Sequence, residues 1–253
     1  MTLNEKSTGI LELPQVLELL AAEAVSEGAK ELARGLKPET DLYVVRDSLA
    51  ETTDAKNRMS VGGSPGFSGI RAVSGALARA DMGGSLSPKE LLEIARVLRA
   101  ARDAIAYADG DNAGTGAVDG LFSSLSANKY LEEKITSSIL GEEEIADAAS
   151  TELADIRRHM RAAGERVRQS LQKVISSPAY AKALQEPIIT MRNDRYVVPV
   201  RAEFKSSVPG LVHDVSASGA TFFIEPISSV EANNEIRELL AKEKKEIERI
   251  LAE

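Results

Sequence analysis

The sequence predicts a mainly α fold in which a helical domain and long helical arms carry a small antiparallel β element. Three observations predict it. Apolar residues recur every three or four positions through most of the 253 residues, Ala and Leu dominate, and aromatic residues are only 4%. Two-residue alternation is confined to Arg195–Pro226, where β-branched and aromatic residues crowd together. A nearly heptad apolar seam runs up to that stretch, and an amphipathic helix leaves it.

In chain order, Leu11–Val25 carries Leu13, Val16, Leu17, Leu20 and Ala24 at helical spacing, with Pro14 in the first turn, where it is tolerated. Gly28–Arg34 continues as helix until Gly35 and Pro38 stop it. Thr40 or Asp41 caps the next helix, which runs to about Met59. Ile70–Asp81 is helical and ends at Gly83-Gly84. Ser87-Pro88-Lys89-Glu90 is a capping box with Pro at the first helical position, opening a helix to about Tyr107. Val61–Gly69 is glycine-rich, but a P-loop needs Gly-Lys-Ser/Thr opening a helix, and the chain has no Gly-Lys pair. Asp109–Gly120 matches a calcium loop at Asp109, Asp111 and Gly114. Ala113 and Gly120 stand where that loop needs ligands, the last a bidentate Glu, so the segment reads as a surface loop.

The first arm spans Glu142 to Ile175, with Leu153, Ile156, Met160, Ala163, Val167, Leu171 and Val174 as its seam. Off the seam, Arg157, Arg158, Arg161, Arg166, Arg168 and Lys173 stand against Glu165 alone. Pro178 ends the arm and Tyr180–Gln185 is a short helical turn. In the β element, Tyr196, Val198 and Val200 share one face, and Arg195, Val197, Pro199 and Arg201 share the other. Ser216-Ala217-Ser218-Gly219 is a hairpin loop between Leu211–Val215 and Ala220–Glu225. The second arm starts after Pro226, capped by Ser228 or Ser229, with Ile236, Leu240, Ile247 and Leu251 as its apolar stripe. It runs to Glu253 with no cap, Gly or Pro, which reads as part of something longer. The expected organisation is a helical domain over 1–141, arms over 142–178 and 227–253, and the β element over 179–226.

The chain has no Cys, so it can form neither disulfides nor a thiolate site. It also has no basic-then-apolar leader and no apolar run of the roughly 18–20 residues that a membrane span needs. A cytoplasmic protein without membrane contact is expected. The formal net charge of −8 makes the whole chain a poor non-specific binder of nucleic acid, so any such contact must come from a local patch. Residues 1–150 hold 15 Lys/Arg against 24 Asp/Glu, and residues 151–253 hold 16 against 15. His213 and Asp214 are adjacent on a strand, which predicts opposite faces and no base–orienter pair. His159 lies among arginines on a polar helix face. No His/Asp/Glu cluster has metal-ligand spacing, and no catalytic residue is expected.

The run RYVVPVRAEFKSSVPGLVHDVSASGATFFIEP, followed by SSVEANNEIREL, resembles the second bacterial type of MutS protein. The stretches LELPQVLELLAAEA, LARGLKPETDL and GGSLSPKELLEIARVLRAAR fit the same family, and the resemblance covers essentially the whole chain. It implies core or lever helices plus a clamp, without the mismatch-reading domains of mismatch-repair MutS. Phe223-Ile224-Glu225 therefore sits on a hairpin strand and is not a mismatch wedge. The resemblance places an ATPase domain, with ATP and Mg as its cofactors, and a nuclease domain beyond residue 253. It implies a homodimeric ATPase that encircles nucleic acid, linked to suppressing recombination through branched DNA and to splitting collided ribosomes. DNA, ribosomal RNA and the ribosome are the partners so implied.

Two functions compete. In the first, the chain is a nucleic-acid clamp and lever, with Arg157, Arg158, Arg161, Arg168, Arg192, Arg195, Arg201 and Lys205 on phosphates. Such contacts position without reading sequence and weaken with salt. Arg195 and Arg201 lie six residues apart on one strand face, a span of roughly 20 Å. Against it, Arg192–Glu225 holds four basic and four acidic residues. In the second, the arms are a coiled-coil or dimerisation scaffold whose charges only solubilise. A free-standing hydrolase has almost no support.

Overall fold

The computed structural model describes residues 5–110 and 116–253, and the chain divides into two units, Met1–Ala146 and Asp147–Glu253. In the first unit, helices α1 (Glu5–Ile10), α2 (Leu13–Glu23) and α3 (Glu27–Arg34) come first, followed by α4 (Leu42–Gly62) and α5 (Ser74–Asp81). Then come α6 (Pro88–Asp109), α7 (Asp119–Ser123), α8 (Lys129–Ser138) and a ribbon of β1 (Ile139–Gly141) and β2 (Glu144–Ile145). Asp41 caps α4 by accepting from Tyr43 N and Val44 N, and the capping box Ser87/Glu90 opens α6. The Glu90 carboxyl is held down at about 2 by the Ser87 backbone amide, with Arg79 and the Ser87 hydroxyl adding to it. Glu132 of α8 is buried between Arg99 and Arg102 of α6, each 3.0 Å away. Asp111, Ala113 and Gly114 of the partial calcium loop lie outside the described residues. Asp119 at its end pairs with Arg58.

The second unit begins with a short 3₁₀ turn, Asp147–Ala149, and then α9 (Thr151–Ile175), capped by the Ser150 hydroxyl, which accepts from Leu153 N. The arm helix thus starts at Thr151 and not at Glu142. The ribbon and turn occupy the interval, and Glu142–Glu144 is not a helix start. Turns through Tyr180 lead to β3 (Thr190–Arg192), β4 (Arg195–Arg201), β5 (Gly210–Val215), β6 (Thr221–Pro226) and α10 (Ile227–Ala252). The sheet has strand order β3-β4-β6-β5, all antiparallel. Asn193 and Asp194, with φ of 50° and 60°, make the two-residue turn between β3 and β4, a backbone state these side chains tolerate. Gly210 allows β5 to close on β6, because a Cβ there would stand 2.2 Å from the Glu225 carbonyl oxygen.

Helices α9 and α10 run antiparallel, since Ser150 meets Glu246, Arg157 meets Glu243 and Ser170 meets Ser228. The predicted seam of α9 is buried at Leu153, Ile156, Ala163, Val167 and Leu171. On α10 the inward residues are Ser229, Asn233, Leu239 and Glu246, with Ile236 packed on the core. Ile236 of the expected stripe thus packs inward, but Leu239 is buried in place of Leu240, and the inward face also takes polar residues, Asn233 against β4 and β6 and Glu246 against Ser150 at the start of α9. Neither Ser228 nor Ser229 caps α10. Pro226 occupies the cap, and the Ser229 hydroxyl donates back to its carbonyl at 2.8 Å. One face of the sheet (Val198, Val200, Ile224) packs with Val167, Leu171, Ala183, Leu184 and Val208 as the unit's core. Among the described residues, no helix is long and apolar enough to cross a membrane.

Candidate nucleic-acid interface

Helical spacing places Arg157, Arg161 and Arg168 on one face of α9, but neighbouring carboxylates divide them. Arg157 is only 22% exposed and bridges the arm, with Nε 2.6 Å from Glu243 on α10 and Nη1 2.7 Å from Asp147. Burial works against its charge, but the hydrogen bonds to Asp147 and Glu243 outweigh that and raise its pKa. The same contact, joined by Arg161, lowers the Asp147 carboxyl. Arg157 is thus a strut between helices. Arg166 likewise pairs across the arm with Glu235. Arg158, Arg161 and Arg168 are exposed and make only peripheral ion pairs, at 3.1 Å to Asp155, 3.3 Å to Asp147 and 3.4 Å to Glu165. Exposed pairs of this kind contribute about 0–1 kcal/mol and open readily to another anion.

The β element divides in the same way. Arg195 is half-sequestered beside Glu225, a fully buried carboxylate. Glu225 accepts from Arg195 Nη1 at 2.9 and 3.2 Å and from Asn233 Nδ2 at 2.7 Å, and meets His213 Nε2 at 2.5 Å. Asn233 also joins α10 to β4, accepting from Tyr196 N and donating to Tyr196 O. This cluster ties three strands to the base of α10. Arg195 serves it and does not present a free charge at the tip. Arg201 and Lys205 are exposed, the latter with Nζ 4.8 Å from the Phe222 ring. Arg192 lies over Phe223, 4.1 Å from its centroid, and pairs with Asp214 at 3.3 Å.

His213 and Asp214 do not take opposite faces. The register shifts between Val212 and Asp214, and His213 falls in that bulge. Both side chains therefore reach the side carrying Phe223 and Glu225, where they engage different partners. No group of three His, Cys, Asp or Glu suited to a metal occurs among the described residues. Sequence reasoning overlooked Glu225 and Asn233. A carboxylate at the end of the apolar run Phe222-Phe223-Ile224 was the signal, since such a residue is buried only when it is paired.

The exposed set is then Arg158, Arg161 and Arg168 on the arm, with Arg201 and Lys205 at the sheet. These side chains can meet phosphates but present no proton-transfer pair.

No family model matches the chain. Curated relatives do. The protein called endonuclease MutS2 of Acetivibrio thermocellus is 47% identical over 254 residues, covering 99% of this chain and 32% of the relative. Endonuclease MutS2 of Ruminiclostridium cellulolyticum is also 47% identical, and that of Clostridioides difficile 41%, with the same coverage of each chain. The chain therefore spans about a third of the length of the curated relatives it matches. At 41–47% identity over 99% of its length, the chain is identified as a segment of the MutS2 family.

Proposed function

We propose that this segment is the nucleic-acid clamp and lever region of a dimeric MutS-type ATPase, with no catalytic step of its own. The observation that supports it most is the two-helix arm delivering a small sheet, with exposed cations at both places and a buried polar cluster fixing their joint. In this reading Arg158, Arg161, Arg168, Arg201 and Lys205 grip phosphates, while Arg157 and Arg195 keep the gripping surface in shape. ATP and Mg act in parts of the whole protein outside this segment. The substrate is DNA, branched DNA included, or ribosomal RNA on a ribosome, and the setting is cytoplasmic. The competing scaffold reading draws on the arm's own ion pairs, Arg157–Glu243 and Arg166–Glu235, which need no ligand.

A salt series separates the two. Affinity for a DNA duplex and for an RNA stem is measured by gel shift for the chain and for the triple variant Arg158→Gln, Arg161→Gln, Arg168→Gln. The clamp reading expects weaker binding to every sequence and a salt slope flatter by roughly 0.9 for each phosphate no longer neutralised. Unchanged affinity and slope would hand the arm to the scaffold reading.

A further inference from the structure

Arg192 is held differently from every other exposed arginine of its unit. Its guanidinium lies 4.1 Å over the Phe223 ring. Nε faces Asp214 at 3.3 Å, and Nη1 donates to the Met191 carbonyl at 2.8 Å and, more weakly, to the Thr190 hydroxyl at 3.4 Å. Asp214 offsets its charge, and these contacts engage Nε and Nη1. Phe223 lies on one side of the guanidinium, and 40% of the side chain remains exposed.

We propose that Arg192, seated on Phe223, is a stacking platform for one unpaired nucleobase. The proposal rests on the nucleic-acid reading above and adds its ligand class, nucleic acid with bases out of the stack. A planar guanidinium stacks on a base as an aromatic ring does, and any base offers a π face, so the site selects for unpairing and not for sequence. Its surroundings fit. Phe223, Asp214 and Glu225 lie on the same side of the sheet as Arg192, so the platform stands on an ordered strand face. Asn193 secures the turn behind it by donating to the His213 carbonyl at 2.9 Å. Bonds on three sides leave Arg192 little rotamer freedom to lose on binding.

The test uses two DNA probes of equal length and charge, a continuous duplex and a duplex with one unpaired 2-aminopurine. The same pair is made in RNA to distinguish the source. The chain is expected to bind the unpaired probe about 5- to 100-fold more tightly, the range base–aromatic stacking supplies, and to quench its fluorescence. Arg192→Lys keeps the charge but loses the plane. It should abolish the preference and the quenching while leaving duplex affinity unchanged and the chain folded by circular dichroism. Phe223→Leu, which removes the support, should do the same. Equal affinity for both probes, or a preference that survives Arg192→Lys, overturns the platform while the phosphate-gripping reading stands. Failure to bind any probe overturns both.

Discussion

The two units draw on the same helical periodicity and bury it to different depths. In Asp147–Glu253, Leu153, Val167, Leu171, Val198 and Val200 are wholly buried. In Met1–Ala146 the larger buried apolar residues, Leu86, Ile94, Val118, Ile135, Ile139 and Ile145, each keep 4–8% exposure and the others are alanines, while Leu32, Tyr43 and Val61 are each more than 75% exposed. The charge differs too, with 15 Lys/Arg against 23 Asp/Glu in the first unit and 16 against 16 in the second. A periodic stripe marks the face a helix can bury, and only a facing element makes the burial happen. The second unit supplies that element within itself, because α9, α10 and the sheet all close on one core.

Four variants press on this comparison. The largest effect belongs to Glu225→Ala, which leaves Arg195 and Asn233 without their acceptor at the joint. It should cost the second unit about 3–5 kcal/mol, as losing one partner of a buried charge pair does, read from denaturant unfolding. A cost under about 1 kcal/mol would show that the cluster does not hold the joint. Next, Leu171→Ala should cost about 2–5 kcal/mol, whereas Leu32→Ala in the first unit should change stability by no more than about 0.5 kcal/mol. Equal costs would erase the contrast between the units.

The smallest effect is confined to acid. Arg249 and Ser150 hold the Glu246 carboxyl at about 2, below its ordinary 4.5. A depressed carboxylate favours the folded state above its unfolded pKa, and that contribution disappears as pH falls from about 4.5 to 2. Thermal melting should therefore show the parent chain ahead of Glu246→Gln at pH 6, with the gap closing across that interval. A gap that stayed constant down to pH 2 would mean Glu246 does not act through its charge.

Local patterns announced much of this. The capping box at Ser87, the Pro14 and Pro88 starts, the α9 seam and the Ser216–Gly219 hairpin all stand where residue types demanded, because each depends on neighbours within a few positions. Leu240 in the α10 stripe and the side taken by His213 were misread for the opposite reason. Asn233 and Glu246 face inward because α9 and β6 bring them partners, and the bulge at His213 exists only in the register of two strands.

The basic residues show the same division. Sequence by itself determined that cations collect on the first arm and around the β element, since composition along a helix or strand is fixed by order alone. It also determined the family, through the long run from Arg195 to Pro226. Which cations remain free was a tertiary decision. Arg157 meets Glu243 from 86 residues away, and Arg195 meets Glu225 from 30 away, so both charges are spent inside the fold. Arg192 is stacked and paired because Phe223 and Asp214, distant in sequence, converge on it. Coulomb and hydrogen-bond energies depend on distance in space, and only the folded chain sets those distances.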